Sequence, residues 1–159
     1  MNPLCTALAA KIHEQTERTT HLISLIPADR PADVAPLLGH LLECHAGFCA
    51  VLFAAAPDRL AHFVTLRDLP VNHACAPAEA LDRLAHYRAH IAEGFAALTD
   101  SDLARAIPTV FVPTGEPLLT LFLGNLEHLI NHKHELFTRI KQMGVVIGTP
   151  DLYQLRGME

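Results

Sequence analysis

Apolar residues recur at three- and four-residue spacing in four long windows of this chain, and each window is bounded by Pro, Asp or Gly. The spacing predicts amphipathic helices, and the flanking residues mark where they start and stop. The first window runs from about Pro3 to Ile26 and ends at "IPADRP", where Pro27 and Pro31 block continuation. The second starts at Pro31 or Ala32 and reaches Ala55, with Pro36 in its first turn or so, where a missing N–H costs least. The third spans about Pro77 to Leu98 and stops at "TDSD". The fourth opens at Pro117 and continues to Met143, with Gly144 as its C-terminal stop.

Between the second and third windows lies a long connection, residues 57–77, in which "DRLAHFVTL" predicts two turns of helix before irregular chain. Structureless connections of this length are uncommon and often carry function. Before the fourth window, "IPTVFVPTGEP" reads as extended chain with a Gly-containing turn, a short hairpin or crossing strand. The tail, "GVVIGTPDLYQLRGME", has no helical period and is expected to pack across one end. The fold class expected is all-α: a four-helix bundle with a short extended segment before the last helix. Such bundles build metal and cofactor sites from side chains projecting inward on facing helices.

Composition fits one packed domain over residues 1–159. Half of the 159 residues are hydrophobic and only 18% are charged, far from the disordered class. A net charge of -5 without a Lys or Arg run offers no footprint for nucleic acid or an anionic membrane, so neither partner is expected. The N-terminal segment acquires Lys11, Glu14, Glu17 and Arg18 before a signal-peptide core is complete, and no run approaches eighteen apolar residues. A cytoplasmic protein is expected. The four cysteines show no CxxC spacing, and Cys44 and Cys49 fall on one predicted helix, so reduced thiols are expected rather than disulfides.

The eleven histidines redirect attention to metal chemistry. Residues at i and i+4 share a helix face, and two pairs have that spacing: His86 with His90, and His128 with His132. Asp82, Arg83 and Glu93 flank the first pair and place it on a solvated face. The second pair, flanked by Leu121, Asn125, Leu129 and Leu136, lies at the edge of an apolar stripe and so points into a groove between helices. His134 is roughly 200° from His132 around the helix and cannot share an ion with the pair. A further ligand has to come from elsewhere, and the second helix offers His40, Cys44 and His45 in "GHLLECHAGF". His45 falls in the middle of the apolar stripe, as a core histidine would; His40 lies at an edge like that of His128 and His132. Periodicity leaves both open.

"LLGHLLECHAGF", followed by "HLINHKHELFTRIKQMGV" and "TPDLY", resembles the DinB/YfiT-like superfamily of four-helix-bundle metalloproteins. Members carry one ligand histidine on the second helix shortly after an apolar pair, and two on the fourth, three residues apart. The resemblance maps His40, after Leu37 and Leu38, onto the lone ligand, and His128 and His132, with Lys133, Glu135 and Leu136 trailing, onto the pair. It departs at His134, where a small residue is common.

The resemblance thus implies a divalent ion, Zn, Ni or Fe, on His40, His128 and His132, with further positions left open. Three neutral imidazoles leave the full +2 charge on such an ion, suited to polarising a carbonyl, activating water or holding a thiolate. Glu135 is a candidate to orient His132 or to take a proton, and Asn125 a candidate hydrogen-bond partner for a ligand imidazole. The activity implied is that of a metal-dependent enzyme on a small molecule, a hydrolase or a low-molecular-weight-thiol S-transferase. The competing expectation is a non-catalytic metal-binding or stress-response protein, its site closed by a fourth ligand such as Cys44 or His45. An enzyme should also have a pocket lined partly by the 57–77 connection. Surplus apolar residues in "LCTALAA" and "PLLTLFL" suggest a homodimer or, equally, extra packing within the chain.

Overall fold

The computed structural model describes residues 2–109 and 112–153. It is all-α apart from one short hairpin. The helices are α1 (Pro3–Ser24), α2 (Ala35–Ala55), α3 (Phe63–Arg67), α4 (Pro77–Ala96), α5 (Leu118–Gln142) and α6 (Thr149–Tyr153). Strands β1 (Ala106–Ile107) and β2 (Glu116–Pro117) pair antiparallel ahead of α5. The four predicted windows correspond to α1, α2, α4 and α5.

Each long helix buries the stripe that its period defines. α2 packs against both α4 and α5, and α1 packs against the same two, so one core runs between all four. Ile12, Leu22, Leu38, Leu42, Phe48, Leu52, Tyr87, Phe122 and Leu129 are fully enclosed there. α2 is flanked on several sides and is accordingly apolar nearly all round. It is long and apolar enough to cross a membrane by length and composition, yet here it is the core helix.

Three boundaries differ from expectation for identifiable reasons. α2 starts at Ala35 rather than at Pro31 or Ala32, after a separate 3-10 turn at Pro31–Asp33. A continuous helix from Ala32 would drive the Pro36 ring into the Ala32 carbonyl, so the helix begins where Pro36 lies in its first turn. In the connection, helix is confined to α3; residues before it form turns, with the Phe63 N–H on the Leu60 carbonyl. The tail is not devoid of helix: Pro150 opens α6, and the Asp151 carboxylate caps the Gly148 N–H at 2.8 Å. α6 packs on α1, where His21 Nε2 lies 3.0 Å from Asp151 Oδ1.

The expected extended segment is present as β1 and β2, with Gly115 at φ +91° in the turn before β2. Val110 and Phe111 of that segment, and residues 154–159 of the tail, lie outside the described residues.

Two buried charges were not anticipated. Arg83, grouped above with the solvated His86/His90 face, is 7% exposed and is held by the Pro70 carbonyl and the Tyr87 hydroxyl. Lys133 is 2% exposed; its ammonium donates to Gln15 Oε1 at 2.8 Å and to the Leu152 carbonyl at 3.3 Å. It thereby ties α5 to α1 and α6, and its burial pushes its pKa down to about 8.

Candidate metal centre

α2 and α5 come close where small residues allow it. A Cβ on Gly47 would lie 2.6 Å from the Asn125 side-chain nitrogen, so glycine there admits α5 to the α2 backbone. Two turns toward the N-terminus of α2, His40 leaves the edge of its stripe and meets His128 and His132 leaving theirs. His40 Nε2 lies 3.1 Å from His128 Nε2 and 3.1 Å from His132 Nε2. All three rings are half-buried, and their ligand atoms fall within 4.8 Å of one another. For metal–nitrogen bonds of about 2.0–2.1 Å, ligand nitrogens stand about 2.9 Å apart at right angles and about 3.4 Å apart at tetrahedral angles. Both separations from His40 lie between the two, so the group could hold one metal ion.

Two of the rings have acceptors on their far side. His40 Nδ1 is 2.7 Å from Asn72 Oδ1 and 2.9 Å from Glu43 Oε2, and His132 Nδ1 is 3.1 Å from Glu135 Oε2. Each partner is an acceptor, which places the imidazole proton on Nδ1 and leaves Nε2 a bare lone pair aimed at the cluster. Glu135 is itself held by Arg139, 2.6 and 3.0 Å away, and that bond, ahead of the one to His132, keeps its carboxyl below the usual range. Burial, followed by the neighbouring imidazoles His132 and His40, pushes the His128 pKa down, which favours the neutral ring a cation requires.

Residues considered as further ligands lie elsewhere. His45 is wholly buried, with Nδ1 donating to the Leu41 carbonyl at 2.8 Å and Nε2 3.2 Å from Thr16 Oγ1. Cys44 is buried outside the cluster, and burial pushes its thiol up to about 12. His134 is exposed and faces the Phe137 ring. His86 lies on the surface, 3.8 Å from Asp82, while His90 is half-buried with its ring 4.6 Å from that of Phe63. Asn125 rests on Gly47, and the imidazole partners are Asn72, Glu43 and Glu135 instead.

Glu43 was legible without the structure: His40-x2-Glu43 repeats the spacing of His132-x2-Glu135, which puts a carboxylate one turn beyond each ligand on its own helix. Asn72 was not, because it reaches His40 from an irregular segment at φ +57°. The cavity beside the centre also differs from expectation. About 350 Å³ in volume, it has Glu135 on its wall together with Arg30, Asp33, Arg139 and Met143, and among the described residues none of the 57–77 connection. No family model, curated protein or solved structure matches this chain.

Proposed function

We propose that this chain is a metal-dependent enzyme of the DinB/YfiT-like type, a four-helix bundle binding a divalent ion through His40, His128 and His132 and acting on a small molecule. The observation that carries the reading is the convergence of three Nε2 lone pairs whose Nδ1 atoms all but one have acceptor partners. A single cation at their meeting point would take all three as ligands. A bound ion would supply Lewis acidity to activate water or a small thiol, which fits either a hydrolase or a thiol S-transferase. Asn72 and Glu43 would orient His40, and Glu135, at the cavity wall, would orient His132 and accept a proton from a molecule bound beside it. Arg139 would keep Glu135 ionised for that purpose.

Among the described residues, no Cys, Asp or Glu joins the three histidines, which favours an open site over the closed one of a purely structural ion. We also propose a homodimer through a helix face, because Leu119, Leu123 and Ile130 remain exposed along α5.

The test is metal analysis of purified protein, then Zn, Ni and Fe affinity in the wild type and in His128→Ala. Loss of one bound equivalent in the variant supports the centre, and an unchanged number of bound equivalents refutes it. Turnover of an ester, amide or thiol-conjugate panel that follows metal content supports the enzyme. Metal without turnover supports the non-catalytic alternative.

A further inference from the structure

The connection between α2 and α4 carries a second convergence of ligand atoms that the three-histidine centre does not use. His73, Cys75 and Glu79 bring a ring nitrogen, a sulfur and a carboxylate oxygen within 4.8 Å of one another. Their spacing is His-x-Cys-x3-Glu. Two stand on the strap leading into α4, and the third lies in that helix's first turn behind Pro77. His73 Nε2 is 2.9 Å from Glu79 Oε1, while Nδ1 of the same ring is enclosed without a partner, so the ring addresses the cluster through Nε2. The Cys75 thiol is buried against the same carboxylate and the Ala76 carbonyl, 3.4 Å away.

The backbone under this cluster is fixed. The Asn72 N–H donates to the Gly39 carbonyl and the Cys75 N–H to the Ala35 carbonyl, both at 3.0 Å. The His73 carbonyl lies so close to Gly39 that a Cβ there would stand 1.9 Å from it. Ligand atoms on an anchored strap and a helix start are held near one another before any ion arrives, which lowers the ordering cost of binding.

We propose that His73, Cys75 and Glu79 form a second divalent-cation site, of zinc type, separate from the three-histidine centre. Imidazole, thiolate and carboxylate together suit a borderline-soft ion and leave one tetrahedral position for water. On binding, the Cys75 S–H bond breaks, a sulfur–metal bond forms and the proton leaves to solvent. The Nε2 proton that His73 shares with Glu79 also leaves to solvent and Nδ1 takes one up, so the ring stays neutral and Nε2 offers its lone pair to the ion. Thiolate and carboxylate neutralise the ion's two charges. Arg83, 3.6 Å from Glu79, is already engaged by the Pro70 carbonyl and the Tyr87 hydroxyl. Ligand atoms of a tetrahedral site stand about 3.4–3.8 Å apart, so the 2.9 Å contact between His73 and Glu79 has to open by about 0.5 Å, within reach of the half-exposed Glu79 side chain. The ion would clamp the strap whose Asn72 holds His40 Nδ1, a structural role beside the first centre. Nothing in this requires the three histidines to bind metal.

Cobalt(II) separates the two sites, because only this one supplies a thiolate. In His128→Ala, which leaves the strap untouched, added Co²⁺ is expected to bind one equivalent and to produce a near-ultraviolet thiolate-to-cobalt charge-transfer band. Adding Cys75→Ser should abolish the band. Glu79→Gln retains the thiol at a half-exposed position, and it should weaken cobalt binding about tenfold or more. A band absent from both the wild type and His128→Ala overturns the site, as does one that survives Cys75→Ser. If Cys75→Ser does not fold, Glu79→Gln decides, and unchanged affinity there overturns the proposal. Each of these results leaves the three-histidine centre to be judged by its own metal analysis.

Discussion

His40 and His45 stand little more than a turn apart on α2 and meet opposite surroundings, which is why periodicity alone left both open as ligands. The position of each on the apolar stripe was readable: His45 central, His40 at the edge. What decides is the far side of the groove, which no single-helix pattern contains. His45 faces Thr16 and stacks near Tyr87, with no cation or carboxylate among the described residues bonded to it, and burial pushes its pKa from 6.5 down to about 4. The unfolded chain therefore binds a proton that the folded one refuses. Stability from a neutral His45 is fully present above about pH 6.5 and is lost as pH falls toward 4, on the order of 3 kcal/mol over that window. Urea denaturation at a series of pH values should show a steeper fall in the wild type than in His45→Gln. Parallel pH profiles would mean that the imidazole charges in place.

The elements divide by how much of their cause is local. The four long helices were legible because each repeats its apolar spacing over many turns and carries its own Pro or Gly boundary. α3 and α6, one turn or so each, rest on α2 and α1; the first was legible as part of the two turns expected in "DRLAHFVTL", the second was not. The strap is the sharpest case, for its position depends on an absent side chain in another element. At Gly39, helix propensity favours alanine by about 1 kcal/mol, but a Cβ 1.9 Å from the His73 carbonyl forces backbone apart. Overpacking of this kind costs about 1–3 kcal/mol, and here it also strains the two strap hydrogen bonds to α2. Gly39→Ala should therefore lower stability despite its better propensity, and should weaken metal binding at His40 by displacing Asn72. Gly124, on exposed α5 with nothing within 4 Å, provides the control: Gly124→Ala should raise stability by about 0.5–1 kcal/mol. Chemical denaturation of the two variants, with metal affinity for the first, checks both signs.

For the molecule as a whole, the three-histidine centre joins the core helix to α5, and α5 is tied in turn to α1 and α6 through Lys133. An ion there would bind only the folded chain, since His40 and His128 are brought together by tertiary packing and are far apart in sequence. Mass action then sets its effect. At a free metal concentration about a hundred times the dissociation constant, the folded state gains about 2.7 kcal/mol. A chain of this size gains about 2–4 °C in Tm per kcal/mol, so the wild type should melt about 5–10 °C higher with saturating Zn²⁺ than after chelation. The increase should shrink in His128→Ala to whatever the His73, Cys75 and Glu79 cluster contributes, and should vanish when Cys75→Ser is added. A shift of equal size in all three proteins would place the bound metal on other groups and remove both centres together.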